Sequence, residues 1–391
     1  MAEPFDPRNT TLGYATETLF GVTPVAQLQL IPFQSWNPKQ PTDTVISQTI
    51  RTGRAPIDLL RTSLHAEATL GFEMIAAAYD AFFEQSLMSA AWATQQSVTA
   101  TDISFQASDD SVNSSAGAFS SFAANKWVHI SGFTGSPGQN GFYKIVTKSN
   151  SKLTLVPGIA SDDAAGESVT VVQGPFIEDG NTFRSMLMEA KHDESTDMYH
   201  FANGMSVSEA ALNMEVGAIV NGSFTMMGTK FMTGTVSEGS GAPLAATTNL
   251  PMTAVDHVAS TREGPTHTAM EILGQSFAVN NNLGLREIVG TLGPAKRHRA
   301  DLFEASGSAR IYLTGPTEIQ RFYDFDTWNF ASILRDGAGN AYVFDFPAVK
   351  FSDADFTVQT GQDLTVTMPW NAFDHPTEGV AMRVSRFTSL P

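Results

Sequence analysis

The chain has no cysteine. That absence excludes disulfides, thiolate metal sites and cysteine nucleophiles together, and it suits a protein made in a reducing cytoplasm. Charge is also scarce, at 16% of residues, and unbalanced: 23 lysines and arginines stand against 40 aspartates and glutamates, a formal net charge of −17. Such a chain does not adhere to nucleic-acid phosphates through a general positive field. No apolar run approaches the roughly 20 residues that cross a bilayer. The opening Met1-Ala2-Glu3-Pro4-Phe5-Asp6-Pro7 lacks the basic and apolar stretches of a signal peptide. No membrane partner is expected.

Catalytic patterns are missing as well. The eight histidines form no HExxH. His192, Asp193 and Glu194, followed by His200, make the densest cluster, but it falls in a polar turn, whereas zinc needs three converging ligands and a second shell. Asp353, Asp355 and Asp363 follow strand alternation around Phe356 and Val358 rather than a calcium loop. The glycine-rich run Gly132–Gly141 lacks the Gly-Lys-Ser/Thr ending of a phosphate cradle, as does Gly293–Lys296. No GxSxG elbow surrounds Ser240 or Ser308. No catalytic, metal or cofactor-binding residue is assigned, no cofactor is expected, and the chain does not read as an enzyme.

What is present is apolar content of 42%, 31 glycines and abundant Ser/Thr, the composition of a β-rich protein with many turns. One strand-rich pattern also occurs twice. Tyr199-His200-Phe201 is answered by Tyr342-Val343-Phe344 at an offset of 143, and Val207–Gly217 by Phe351–Gly361 at 144. After a small gap, Phe224-Thr225-Met226 is matched to Leu364-Thr365-Val366. Upstream, Phe72 matches Ile311 and Phe83 matches Tyr323, at offsets of 239 and 240. A long-period repeat outside a solenoid points to duplication and fusion.

Each half reads strand, basic loop, strand, short helix, strands. In the first half these are a strand near Ala26–Phe33, the segment Thr42–Arg61 with Arg51, Arg54 and Arg61, and a strand over Leu64–Ile75. A helix follows over Ala76–Met88, where Tyr79, Phe82, Phe83 and Leu87 recur at helical spacing. In the second half Ile272–Phe277 leads to Lys296, Arg297 and Arg299, then to a strand over Ser308–Leu313 and a helix start at Pro316. The first half also carries roughly ninety extra residues with five short β-like runs, at Asp102–Phe105, Trp127–Ile130, Phe142–Val146, Leu153–Val156 and Ser168–Val172. The expected domains are therefore 1–100 with 174–240, an inserted all-β domain at 101–173, and 252–391, with a Gly/Ser-rich linker over 234–251. An insert at a loop tip is expected to project outward and to be removable without loss of assembly. The two basic loops recur in equivalent positions, which marks Arg51, Arg54, Arg61, Lys296, Arg297 and Arg299 as candidates for contacts with acidic patches on a neighbouring copy.

The order of elements, the duplication and the insert, above all Phe119–Phe133 with Asn140–Val146 and Leu153–Leu155, resemble the tail tube (major tail) proteins of long-tailed bacteriophages. The resemblance implies a mainly β fold: two tandem β-sandwich or barrel units, each with a short flanking helix, plus a small all-β decoration domain. It further implies a virion protein, assembled in the host cytoplasm, whose partners are itself, other tail proteins at the tube ends and passing double-stranded DNA that it does not bind tightly. Family units form six-membered rings that stack into a hollow tube, with strands joining around the lumen and a long loop reaching the next ring. A two-unit chain then needs three copies per ring, and residues 42–61 and 286–301 match the ring-contacting loop. Two other readings are a different virion β protein (terminator, hub or capsid decoration) and a carbohydrate-binding β module using Trp36, Trp92, Trp127, Trp328 and Trp370 as platforms.

Overall fold

The alternating run Ala66–Glu73 forms a strand that buries Ala66, Ala68, Leu70 and Phe72 and turns Glu67, Thr69, Gly71 and Glu73 to the other face. This division recurs throughout the protein. The computed structural model describes residues 6–390 apart from 50–54, 194–195, 255–257, 264–267, 270–271, 314 and 357–362. It is mainly β. The first half opens with β1 (Thr10–Thr16), β2 (Gln29–Ile31) and β3 (Ser35–Lys39). The hairpin β4 (Thr42–Ile46) and β5 (Leu59–Leu64) follows, then β6 (Ala66–Glu73) and α1 (Asp80–Ser86). A separate sheet then intervenes: β7 (Gln96–Ala100), β8 (Ile103–Gln106), β9 (Ser111–Ser114), β10 (Trp127–Ser131), β11 (Gly141–Lys148), β12 (Lys152–Val156) and β13 (Val169–Gln173). The half closes with β14 (Phe176–Glu178), β15 (Met186–His192), β16 (Met198–Glu215), β17 (Asn221–Gly228) and β18 (Phe231–Gly234).

The second half runs β19 (Val258–Glu263), β20 (Thr268–Ala269), β21 (Ile272–Asn280), β22 (Glu304–Tyr312), α2 (Thr317–Tyr323), β23 (Trp328–Arg335), β24 (Ala341–Phe351), β25 (Asp355–Phe356), β26 (Thr365–Ala372) and β27 (Arg383–Phe387). Its register repeats that of the first. Leu70 lies opposite Trp36 and Phe224, just as Ala309 lies opposite Gln275 and Met368. Val207 opposes Met226, and Phe351 opposes Trp370. The 144-residue offset therefore continues without a gap, and Phe224 answers Met368 rather than Leu364. A four-residue slip keeps every side chain on the same face, so apolar alternation alone does not reveal it. The tyrosine match is also out of register. Tyr199 packs on the outer cluster with Leu28 and Phe201, whereas Tyr342 sits in the main core and donates a 2.6 Å hydrogen bond to Asp80.

Two layers enclose α1. β16 belongs to both, pairing with β15 and β18 through its first part and with β17 and β21 through its second. It turns at Gly204, whose φ of +72 favours glycine and where a Cβ would stand 2.9 Å from Phe20 and Thr229. The buried Glu17 carboxylate fixes this bend, accepting from the Gly204 and Gly21 amides at 2.7 and 2.8 Å and from the Ser185 hydroxyl at 2.7 Å. α1 is shorter than its apolar spacing predicts because Ala77 and Met88 take left-handed conformations, φ +63 and +45, that bracket the helix. Its Phe82 and Phe83 meet Phe224 at ring distances of 5.2 and 5.4 Å, and Phe83 also meets Phe344 of the second half at 5.7 Å. One apolar core thus runs through both halves. The Gly/Ser-rich stretch after β18 is pinned as well: Leu244 donates to Leu28 at 2.7 Å and accepts from Leu30 at 3.0 Å.

The inserted sheet has the order β7-β13-β10-β11-β12-β9-β8. All five expected runs are strands. β7 and β9 are additional, since Gln96–Ala100 and Ser111–Ser114 carry little apolar signal. Instead of projecting freely, this sheet sits on the second half. Trp127 and Phe142 pack against Ala331, Ile333, Ala341, Val343 and Phe387. Beside them lies a buried ion cluster. Lys144 contacts Asp345 at 3.1 Å and Glu378 at 2.9 Å, and Arg383 contacts Asp345, Glu378 and Glu178 at 2.9, 3.0 and 2.7 Å. Lys126 completes it by pairing with Glu178. Burial alone would raise the Glu178 carboxyl, but Arg383 and Lys126 outweigh it and hold its pKa below the ordinary value.

Replacing Arg383 with Ala leaves Asp345 buried without this partner, and the expected loss is on the order of 3–5 kcal/mol, read as a lower thermal midpoint. Deleting 96–173 bares the Ala331–Phe387 patch and removes Lys144. The expected outcome is lower stability and aggregation by light scattering, and an unchanged midpoint would mean that the dock carries no weight.

Candidate functional site: the polar face of the shared sheet

Seven strands join edge to edge in the order β3-β6-β17-β16-β21-β22-β26, and the seam between halves is β16 against β21, from Glu209–Asn280 to Glu215–Gly274. One face is the core. The other face is rows of small polar residues. Thr69, Thr225, Glu209, Asn280 and Glu304 form one row, and Glu73, Asn221, Asn213, Ser276 and Ser308 another. The face is concave over Asn213, Ser223, Ser276, Ala278 and Asn371.

Five acids lie on this face, Glu67, Glu73, Glu209, Glu215 and Glu304, against two cations on the same strands, Lys39 and Arg310. Both cations are engaged. Lys39 pairs with Glu67 at 2.8 Å and Arg310 with Glu215 at 2.8 Å. Partial burial would raise the Glu67 carboxyl, but Lys39 and His65 hold it below its ordinary pKa. Glu73, Glu209 and Glu304 are left to set the sign of the field. A face of hydroxyls, amides and methyls with net negative charge gives a polyanion neither phosphate contacts nor aromatic stacking platforms. Charge counting over the whole chain anticipated the sign, but it did not identify these residues, because the face is assembled from strands far apart in sequence.

Of the candidate basic residues, Arg61, Lys296, Arg297 and Arg299 are described, and they lie on the segments that join β3 to β6 and β21 to β22. Arg51 and Arg54 lie outside the described residues. Arg61 is exposed on β5 of the hairpin, whose Val45, Ile46, Ile57, Leu59 and Leu60 are exposed as well. The long β21–β22 connection leans on that hairpin's base. Ser63 donates to Glu287, and Gly293, at φ +106, approaches so closely that a Cβ would lie 2.8 Å from the Leu64 carbonyl. Lys296, Arg297 and Arg299 are exposed there. Arg297 stands 5.8 Å over the Phe183 ring and Arg299 contacts Asp301 at 3.3 Å.

His298, within the same run, turns inward. It is buried 5.1 Å from the Phe20 ring, with Nε2 3.2 Å from the Met227 carbonyl, and burial lowers its pKa to about 4. The run 296–299 is thus three exposed cations and one buried anchor. Sequence reasoning missed Asn281. Its buried amide donates to Ser86 at 2.9 Å and Val207 at 3.2 Å, tying the end of α1 to the seam. Only its position after a strand marked it.

Among the described residues, no three His, Asp or Glu side chains converge as a metal would require. Trp127, Trp328 and Trp370 are buried and Trp36 and Trp92 half-buried, so the tryptophans offer no exposed sugar platform. No helix among the described residues is long and apolar enough to cross a membrane. The duplicated β architecture, the strand seam and the cation-poor face define a structural protein organised around a sheet. Residues 7–372 match the family model for phage tail tube protein, and the chain belongs to that family. It is a structural component of the virion tail. Comparison with curated proteins finds no match.

Because the folded His298 pKa lies below that of the free side chain, near 6.5, its contribution is present above pH 6.5 and is lost as pH falls toward 4. His129, buried in the inserted sheet and also lowered to about 4, acts in the same sense. Thermal midpoints should fall between pH 6.5 and 4, and His298→Phe should flatten part of that slope.

Proposed function

We propose that three copies of this chain close into a ring with six quasi-equivalent units, and that stacked rings form a tube whose lumen is the polar sheet face. One observation carries this reading. The pairing register of β3, β6, β16 and β17 recurs in β21, β22, β24 and β26, and the halves already stand beside each other through a sheet seam, as two neighbours in such a ring would. The lumen then carries the uncompensated Glu73, Glu209 and Glu304 of every chain, and double-stranded DNA slides past without neutralising its phosphates. The hairpin β4–β5, with Arg51 and Arg54 between its strands, and the Lys296–Arg299 segment emerge at one rim, where a stacked ring or a tube-end protein would meet their apolar and basic side chains. Exposed ion pairs of this kind are worth about 0–1 kcal/mol each, so they would set register between rings while the apolar hairpin supplies area. The inserted sheet lies on the other layer, away from the lumen. The role is structural throughout, with no catalytic step.

Purified protein viewed by negative-stain electron microscopy should grow into uniform hollow tubes with threefold rings. Particles that stop at one ring would instead favour a terminator or hub. Glu73→Lys, Glu209→Lys and Glu304→Lys together should leave tubes intact while slowing DNA release from assembled phage. Unchanged release would overturn the electrostatic reading of the lumen.

A further inference from the structure

The seam inside the chain specifies a second seam that one chain cannot form, and this inference rests on the ring reading above. β3 pairs only with β6 and β25 only with β26, so each leaves one edge unpaired among the described residues. Their counterparts in the repeat, β21 and β16, are paired with each other. The helices report the same missing neighbour. Phe83 on α1 is 4% exposed and meets Tyr342 and Phe344 of the second half, whereas Tyr323 at the end of α2 is 67% exposed. A surface that is buried in one half and bare in the other calls for a second copy of this chain, presenting its first half.

We propose that β25 of one copy pairs antiparallel with β3 of the next in the register of the internal seam. Within the chain Ala211 faces Ala278 and Leu212 faces Phe277. Advancing β16 by the repeat offset and moving β21 back by its own places Asp355 opposite Lys39 and Phe356 opposite Pro38. The first pair sets opposite charges across the seam, with both residues on the polar face, so Lys39 bridges its own Glu67 and the neighbour's Asp355.

The second pair distinguishes the two seams. Asn281 donates to the Ser208 carbonyl at 2.8 Å across the internal seam, and strand alternation gives the Phe277 amide the same direction, toward Leu212. In the first half, Met74 donates to Val220 at 2.8 Å, so alternate residues of β6 face β17 and the others face β3. Lys39 and Asn37 are thereby turned inward to β6, and Trp36 and Pro38 outward to the open edge. Pro38 has no amide hydrogen. The seam between copies therefore lacks a hydrogen bond that the seam within the chain makes, which is how edge strands are kept from pairing prematurely. Pro38 acts as a brake on spontaneous polymerisation.

The cysteine-free chain permits a direct test. Residues 39 and 355 would form a non-hydrogen-bonded pair with Cα atoms about 4.5 Å apart, within the range a disulfide spans. Tubes of the Lys39→Cys/Asp355→Cys variant, mildly oxidised, should yield covalent species of up to three chains on non-reducing gels. The Asn37→Cys/Asp355→Cys variant, two residues out of register, should yield far less. Ala211→Cys/Ala278→Cys should close within a monomer and serves as the positive control. Equal yields from both intermolecular pairs, or none while the control closes, would overturn the register and leave the ring standing. Wild-type protein that forms neither rings nor tubes would overturn the ring reading itself. Pro38→Val should lower the concentration threshold for assembly about three- to tenfold per seam, the effect of one hydrogen bond; an unchanged threshold removes the brake.

Discussion

The strand pairing of β16 with β21 is the constraint from which the rest of the architecture follows. It converts two sheets of ordinary width into one curved surface and so brings acids from positions 67 to 304 onto a single face. It also forces the two cores to merge. α1 comes to lie under Phe344 and Tyr342 of the other half, and Asn281 locks the helix end to the seam with buried hydrogen bonds. Chains of this length ordinarily divide into separate cores. Here the sheet does not permit the division.

Charge is handled in opposite ways on the two sides of the molecule. On the polar face every cation is held by a glutamate, so the remaining acids set the field, and they stay in water where ionisation costs little. Between the inserted sheet and the second half, the acids Glu178, Asp345 and Glu378 are withdrawn from water and require Lys126, Lys144 and Arg383 beside them. Buried clusters of this type add little net stability over apolar packing, but separating the partners leaves a buried charge uncompensated at a cost of about 3–5 kcal/mol. The cluster thereby ties Lys126 and Lys144 of the insert to Glu178, Asp345 and Glu378 outside it. The Trp127–Phe387 patch supplies the attraction.

Much of this was legible in the residues. Period-2 alternation at Ala66–Glu73 and the apolar runs of the insert were unambiguous, because each strand has one wet and one dry face. The helices were legible from Tyr79, Phe82 and Phe83 and from Pro316. The duplication was visible too, but its register was not: a four-residue slip leaves the alternation unchanged, Tyr199-His200-Phe201 and Tyr342-Val343-Phe344 share an aromatic spacing without sharing a register, and only cross-strand partners decide. The insert's docking was invisible because Lys144 and Asp345 are ordinary charged residues in sequence, and their burial is a property of two surfaces meeting. The burial of His298 was invisible for the complementary reason. A histidine between arginines looks solvated until Phe20 and Phe183, remote in sequence, close over it.

The insert is encoded in one half and seated on the other, and this has a geometric consequence. The corresponding flank of the first half is covered instead by Leu28 and the stretch after β18, which includes Leu244. Viewed from within, a closed annulus of three such polypeptides would display six near-identical facets. Viewed from without, it would display three knobs separated by three smooth flanks. In the ring proposed above, a protein gripping the cylinder from outside would read trigonal symmetry and one plugging its bore would read hexagonal symmetry, so a single gene product would mate with partners of either order.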